Sequence, residues 1–360
     1  SLFYVGLMYL RGLEDPEHDF VLPPDRKKAK LLIKASADMN YIPAHYMFGK
    51  LEIEDHNYTS GIEHLKIASD QNDMYGQFEY ANELFLGKRI PRDAVQSFTV
   101  LRELVKRKEL INSLPQTEFN RPFSYSPRLP TVHRIISDAL IQPLSEIAIS
   151  VSALLGLMYD SKICFKPDDQ EINAKEQAEL YYFKAANAGD AMSMYRLYKL
   201  LQQKGIHKRV YLQRAAEKGL PIAICELNHQ SKKPNYQNAM KKGISMAYYY
   251  QGLFEEKRNM SQAIRMYKMA AGVFCPAAEN RLTELNFKGK IRHPDKCELK
   301  EMKNNPQLSN PWNKHYFECI DCGIGGGLRL CCACASWFHR DHRLIDLGIM
   351  DTVECNQSNH

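Results

Sequence analysis

The sequence predicts an all-α protein: a helix–turn–helix repeat solenoid with a small C-terminal zinc-stapled module. Three observations lead there. Small residues recur three, four and seven apart along most of the 360 residues. Glycine-like residues punctuate these runs at Asn40, Asn72, Gly189, Gly219 and Gly243, with Phe274 replacing the glycine at the last position, in steps of 32, 30, 24 and 31. Six of the ten cysteines crowd between Cys319 and Cys355, together with His339 and His342.

Composition sets the outer bounds. Apolar content of 44% and charged content of 25% are those of a folded, water-exposed protein. The net charge of +6, from 48 basic and 42 acidic residues, is too mild to imply nucleic acid by itself. The longest uncharged apolar run, Ile147–Tyr159, is shorter than the roughly 20 residues a membrane span needs. A buried helix and no membrane span are expected. Cys164, Cys225, Cys275 and Cys297 stand singly, which suits a reducing compartment and a cytoplasmic location. The chain opens at SLFYVGLMYLRG, without Met and apparently inside a structural unit, so it is expected to be a fragment.

The repeat is legible in its copies. GLMY occurs at Gly6–Tyr9 and again at Gly156–Tyr159. In QAELYYFKAANAGDAMS, Ala178 leads to Ala185–Ala186, Gly189 and Ser193. The same order runs through Ala29, Ser36–Ala37, Asn40 and Ala44, and through Gly61, Ala68–Ser69, Asn72 and Gly76. Shorter versions follow at Ala215–Ala216, Gly219 and Ala223, and at Ala239, Gly243 and Ala247; Ala263, Ala270–Ala271 and Ala278 close the series. At this spacing the small residues line one helical face and let a second helix approach. Gly or Asn after the helix suits a left-handed cap. Each hairpin then buries its apolar face only against its neighbours.

The pattern LLGLMY…DDQEINAKEQAELYYFKAANAGDA resembles the Sel-one-like repeat (SLR), a relative of the tetratricopeptide repeat, and VLPPDRKKA matches that family's loop into the second helix. The resemblance covers roughly residues 1–290. It implies an adaptor or scaffold that gathers other proteins, with no catalytic residues. Repeats are expected over 1–112 and 132–290, with a weak copy beginning at Ile90–Phe98 and a short one around Gly243. Residues 113–131 carry four prolines and read as an inserted loop, with a Ser-Pro at Ser126 open to phosphorylation. Residues 132–148 look helical again, and 291–311 read as a basic, then polar, linker.

Residues 312–360 carry the metal signature. Cys319 and Cys322 form one C-x2-C, Cys331 and Cys334 a second with Cys332 inside it, His339 and His342 an H-x2-H, and Cys355 follows. A C-x2-C turn aims two thiolates at one ion, and zinc takes four such ligands in a tetrahedron. Cys319, Cys322, Cys331, Cys334, His339, His342 and Cys355 are therefore the expected ligands of one or two structural zinc ions, with Cys332 and His360 as possible extras. Cys331 is preferred to Cys332 because it completes the C-x2-C turn. The tail has little apolar core, so metal is expected to supply much of its folding energy. Its core is expected to be separate from that of the repeats, and Asp321, Asp341 and Asp346 to be solvated.

The order YFECIDC…LCCACASWFHRDHRL…EC resembles, distantly, a zinc-binding UBR box, which implies a ubiquitin-pathway role for the finger. The chain departs from it at Glu354-Cys355-Asn356-Gln357, where the second cysteine and the glycine of that family's ending are lost. A P-loop, a dinucleotide glycine motif, a nucleophile elbow and the H-E-x2-H motif are all absent from the sequence. The expected function is a non-enzymatic adaptor, with the concave face holding one protein and the finger another. Recruitment of a substrate or conjugating enzyme in the ubiquitin pathway is the first alternative. Nucleic-acid binding through the basic linker and finger is the second, disfavoured because the finger lacks a basic reading helix.

Overall fold

The computed structural model describes residues 2–15, 20–113, 144–164, 173–231, 234–287, 289, 315–350 and 355. The chain divides into two compact units, Ser1–Leu155 and Gly156–His360. The first contains α1 (Leu2–Arg11), α2 (Arg26–Asp38), α3 (Ile42–Glu54), α4 (Tyr58–Asp70), α5 (Met74–Leu86), α6 (Ala94–Leu104) and α7 (Lys108–Ser113). A short antiparallel hairpin of β1 (Leu13–Asp15) and β2 (Phe20–Leu22) joins α1 to α2. The division falls within α8 (Leu144–Ser161). The second unit continues with α9 (Ala174–Asn187), α10 (Ala191–Gln203), α11 (Arg209–Glu217), α12 (Pro221–His229), α13 (Gln237–Lys241), α14 (Ser245–Glu255), α15 (Met260–Gly272) and α16 (Pro276–Glu284).

Consecutive helices pack as antiparallel neighbours, and the small residues sit at their contacts. Ala29, Ala68, Ala178, Ala185, Ala215, Ala263 and Ala270 are fully buried. Gly156 lies flat against the Tyr182 ring, and Gly252 against Tyr267, so even a Cβ would collide. Asp25, Asp73, Asp93, Asp190 and Asn259 open α2, α5, α6, α10 and α15, each accepting a backbone N–H three residues on. The weak copy near Ile90 is thus a helix, α6, while the short copy before Gly243 is the five-residue α13. Of the insertion expected at 113–131, Ser113 ends α7 and the rest lies outside the described residues, as do Ser126, 132–143, the linker at 291–311 and His360.

The glycine-like positions do the work their spacing suggests. Asn40, Asn72, Gly189, Gly219, Gly243 and Phe274 all take positive φ, between 60° and 103°. Phe274 is the costly member, since a Cβ in this region is strained. Its ring explains its presence: it is buried and meets Phe317 edge-on, with centroids 6.0 Å apart.

Phe317 belongs to the C-terminal residues, which add strands to the helical array. β3 (His315–Cys319) lies between β4 (Leu330–Cys331) and β5 (Leu344–Ile349) in an antiparallel sheet, and α17 (Cys332–Phe338) follows β4 directly. All five residues of β3 are buried. A strand covered on both faces shows no alternation, and HYFEC accordingly gave no strand signal.

The expectation of a separate core fails here. Ile320 and Ile345 belong to the same buried cluster as Tyr198, Cys225 and Ile244 of the repeats. The Ile349 N–H donates to the Lys242 carbonyl at 2.8 Å. Arg196 of α10 forms an ion pair with Glu318 of β3, both buried. Arg343 donates to Asp160 of α8 at 2.7 Å, and Arg340 pairs with Glu279 of α16. β5 also packs on α12. The helices touched, α8, α10, α12, α14 and α16, are all first helices of their hairpins. The module therefore lies along that face of the second unit. The physical reason is size: so short a segment cannot close a core of its own and completes it on the repeats.

Two outcomes follow from this packing. Ala185→Leu should overpack the α9–α10 contact and cost about 1–3 kcal/mol in urea unfolding followed by circular dichroism; an unchanged midpoint would contradict the repeat packing. Arg196→Met should strand the Glu318 carboxylate and cost about 3–5 kcal/mol, whereas the double change Arg196→Met/Glu318→Leu should recover much of the loss. A double variant as unstable as the single one would show that the pair is not the anchor.

Candidate metal centre

β3 ends at Cys319 and turns sharply back. The Cys319 N–H donates to Ile324 O at 2.7 Å and the Ile324 N–H to Cys319 O at 2.8 Å. Gly323, at φ 58°, closes this turn, which carries Cys319 and Cys322 on one side. His339 and His342 follow α17 in the loop before β5. These four converge. His342 Nδ1 is 3.5 Å from Cys319 Sγ and 3.2 Å from Cys322 Sγ. His339 Nδ1 is 3.4 Å from Cys322 Sγ and 3.2 Å from His342 Nδ1.

A second group forms at the start of α17. Cys331 precedes the helix as its N-cap, Cys334 lies one turn in, and Cys355 reaches them from beyond β5. The three sulfurs lie within 4.8 Å of one another and all three residues are buried. The Cys331 N–H donates to Cys355 Sγ at 3.3 Å. Cys332, also buried, belongs to neither group. The ligand pairs interleave along the chain: the first joins the third, and the second joins Cys355. Either group could hold a metal ion.

Electrostatics at both groups disfavour the thiolate form in the absence of a cation. Burial pushes the Cys319 thiol up to about 12, against a backbone hydrogen bond from Cys322 that lowers it. Cys334 is driven up by hydrogen bonds with Cys331 and Cys355, and then by burial. Thiols this close cannot ionise together without positive charge among them, and coordination removes their protons outright.

Of the acids expected to be solvated, Asp346 is buried and Asp321 is half-buried and engaged by Arg343. Burial alone would raise the Asp346 carboxyl, yet His315, Ser245 and the Gly348 N–H hold it below its ordinary value. Asp346 Oδ1 lies 2.7 Å from His315 Nε2, and Oδ2 accepts from both Ser245 N and Oγ at 2.6 Å. Ser, His and Asp meet here with the carboxylate in the middle and all three buried. That wiring suits a structural network, not a nucleophile activated by a base. Asp321, inside the first C-x2-C, accepts from Arg343 N and Nε at 2.6 Å, bracing the turn beside His342. Burial pulls the Arg196 guanidinium down, but the Glu318 charge outweighs it and the pKa stays raised. Gly325 makes room for this pair, because a side chain there would meet Arg196 and Leu157 within 3 Å. Sequence reading missed Glu318, Asp346 and Arg343. Their partners lie 122, 101 and 183 residues away, at Arg196, Ser245 and Asp160, beyond the reach of any spacing rule.

Comparison with known proteins bears on the helical part. The Sel1 repeat family matches residues 1–41, 44–73, 168–190, 209–220 and 244–271. A protective antigen present in uropathogenic Escherichia coli strains and displaying an SLR fold is 16% identical, with a TM-score of 0.46 over 82% of this chain. The chain spans 65% of that antigen's length. A Sel1 repeat protein from Oxalobacter formigenes is 18% identical, with a TM-score of 0.40, covering 79% of this chain and 85% of its own. The search of curated proteins found no match. The family's segments fall on α1–α4, α9, α11 and α14–α15, and over these segments the chain is similar to Sel1 repeats.

Proposed function

We propose that this chain is a protein-interaction scaffold whose second repeat unit has a structural zinc module built into it. The observation that carries the zinc reading is the size of the Cys319–Cys322–His339–His342 group. With Zn–S of about 2.3 Å and Zn–N of about 2.0–2.1 Å, a tetrahedral centre has N···N edges of about 3.3 Å and S···N edges of about 3.5 Å. The four ligand-atom pairs that involve His342 or Cys322–His339 stand 3.2–3.5 Å apart, and all four ligand atoms lie within 4.8 Å of one another. Cys331, Cys334 and Cys355 are the proposed ligands of a second ion. Such an ion neutralises the thiolates and supplies folding energy that the small sheet lacks.

The Sel1 repeats support the scaffold reading, since such units serve protein–protein interaction. The seat of the module changes how the scaffold works. The module covers the first-helix face of the second unit, so that face is filled from within. We assign partner docking to other surfaces, the first unit above all. The ubiquitin-pathway reading gains no residue from the geometry, and the basic segment on which nucleic-acid binding would rest lies outside the described residues.

Elemental analysis of the purified full chain tests the site. Two zinc ions per chain are expected, falling by one in Cys322→Ser and by one in Cys334→Ser, with both retained in Cys332→Ser. Chelation should also lower the melting temperature of the helical second unit, because the cores are shared. A wild-type chain free of zinc would sink the metal reading. Zinc lost in Cys332→Ser but kept in Cys331→Ser would reverse the choice of ligand. The scaffold reading is tested separately by cross-linking and mass spectrometry, and a chain that captures no protein overturns it.

A further inference from the structure

We propose that a cationic cleft in the first unit, between α2, α3 and α4, receives an anionic segment of a partner protein. The proposal rests on the scaffold reading and gives the chemistry of one partner.

The cleft has a volume of about 520 Å³, within the range of ordinary ligand sites. One wall is α2, which presents Lys27, Lys30, Leu31 and Lys34. Lysines at i, i+3 and i+7 share a helical face. Leu31 stands among them 69% exposed, an apolar side chain left in water between charges. The floor is Phe48 of α3 and His64 of α4, whose rings meet edge-on with centroids 4.8 Å apart.

The charge is not cancelled within the cleft. Glu52 is the acid in its lining, and it is engaged with Lys30 at 2.5 Å; Asp55 takes the same lysine at 2.5 Å. Lys27 and Lys34 are exposed, with no acidic partner among the described residues. Asp38 and Glu63 act on the histidines from outside the lining. His64 is held mainly neutral by burial and by His45, whose Nδ1 is 2.8 Å from its own. Two ammonium groups are therefore free to meet anions, over an apolar floor that suits a hydrophobic side chain between them.

The spacing selects the occupant. At 1.5 Å per residue, Lys27 and Lys34 lie about 10 Å apart along α2. In a polyproline II segment, residues three apart share a face at about 9 Å. Two anionic residues at i and i+3, with an apolar residue between them, fit this register. Carboxylates and phosphates share the required charge, so the test separates them.

A fluorescein-labelled peptide with two Glu residues three apart and Leu between them is titrated with the full chain and followed by anisotropy. Companion peptides carry phosphoserine or Gln at both positions. The Glu or phosphoserine peptide should bind, weaken with added salt, and lose about tenfold or more in affinity to Lys27→Glu/Lys34→Glu. The Gln peptide should not bind. The stronger of the two anionic peptides identifies the anion. An unchanged thermal melt shows that the double variant is folded. Binding of both anionic peptides to the variant as to wild type overturns the cleft, as does failure of both to bind wild type. If the variant still cross-links every partner that wild type does, the cleft is overturned and the scaffold stands.

Discussion

Close approach of paired helices at small side chains is the constraint on which the rest of the structure depends. Gly156 against Tyr182 and Gly252 against Tyr267 leave no room for a Cβ. A hairpin packed this tightly has a thin core and must find its remaining cover on the next hairpin. The chain must then reverse within a few residues, which is why Asn40, Asn72, Gly189, Gly219 and Gly243 adopt left-handed backbone. Turn chemistry and helix contact are two expressions of one geometric demand.

The same demand explains the seat of the C-terminal module. Stacked hairpins leave a continuous face of first helices, from α8 to α16, that further hairpins do not cover. The module has the opposite problem, a sheet with too little apolar surface to stand alone. Each completes the other. Ile320 and Ile345 join the repeat core, and Phe274 accepts backbone strain to place its ring on Phe317. Burying Arg196, Glu318, His315 and Asp346 in this contact is costly unless each is paired, and each is. Such buried pairs add little net stability once their desolvation is counted, but breaking one is costly. The two cysteine groups bring side chains from the first turn, from α17 and its following loop, and from Cys355 beyond β5 close together.

The two units differ in what covers their helices. The first-helix face of the second unit carries the C-terminal strands of the chain itself. In the first unit, lysines on α2 stand beside an exposed leucine and an aromatic floor, so charge and exposed apolar surface adjoin.

What the sequence determined by itself is local. The hairpins followed from small residues at helical spacing, and the turns from Asn and Gly in register, because both depend on neighbours within about one repeat. The residues that gather in the two Cys and His groups were legible as candidates as well, since each C-x2-C and H-x2-H is a short turn that aims its own side chains. How the pairs combine, and that Cys331 and not Cys332 faces Cys355, became visible only in three dimensions. The tertiary structure also decided the fate of the acids and the independence of the tail. Asp346 and Glu318 look like ordinary surface carboxylates in sequence, yet they are buried against Ser245 and Arg196. No local pattern marks such a pair, because burial is set by which surfaces meet, and the partners lie more than a hundred residues apart in the chain.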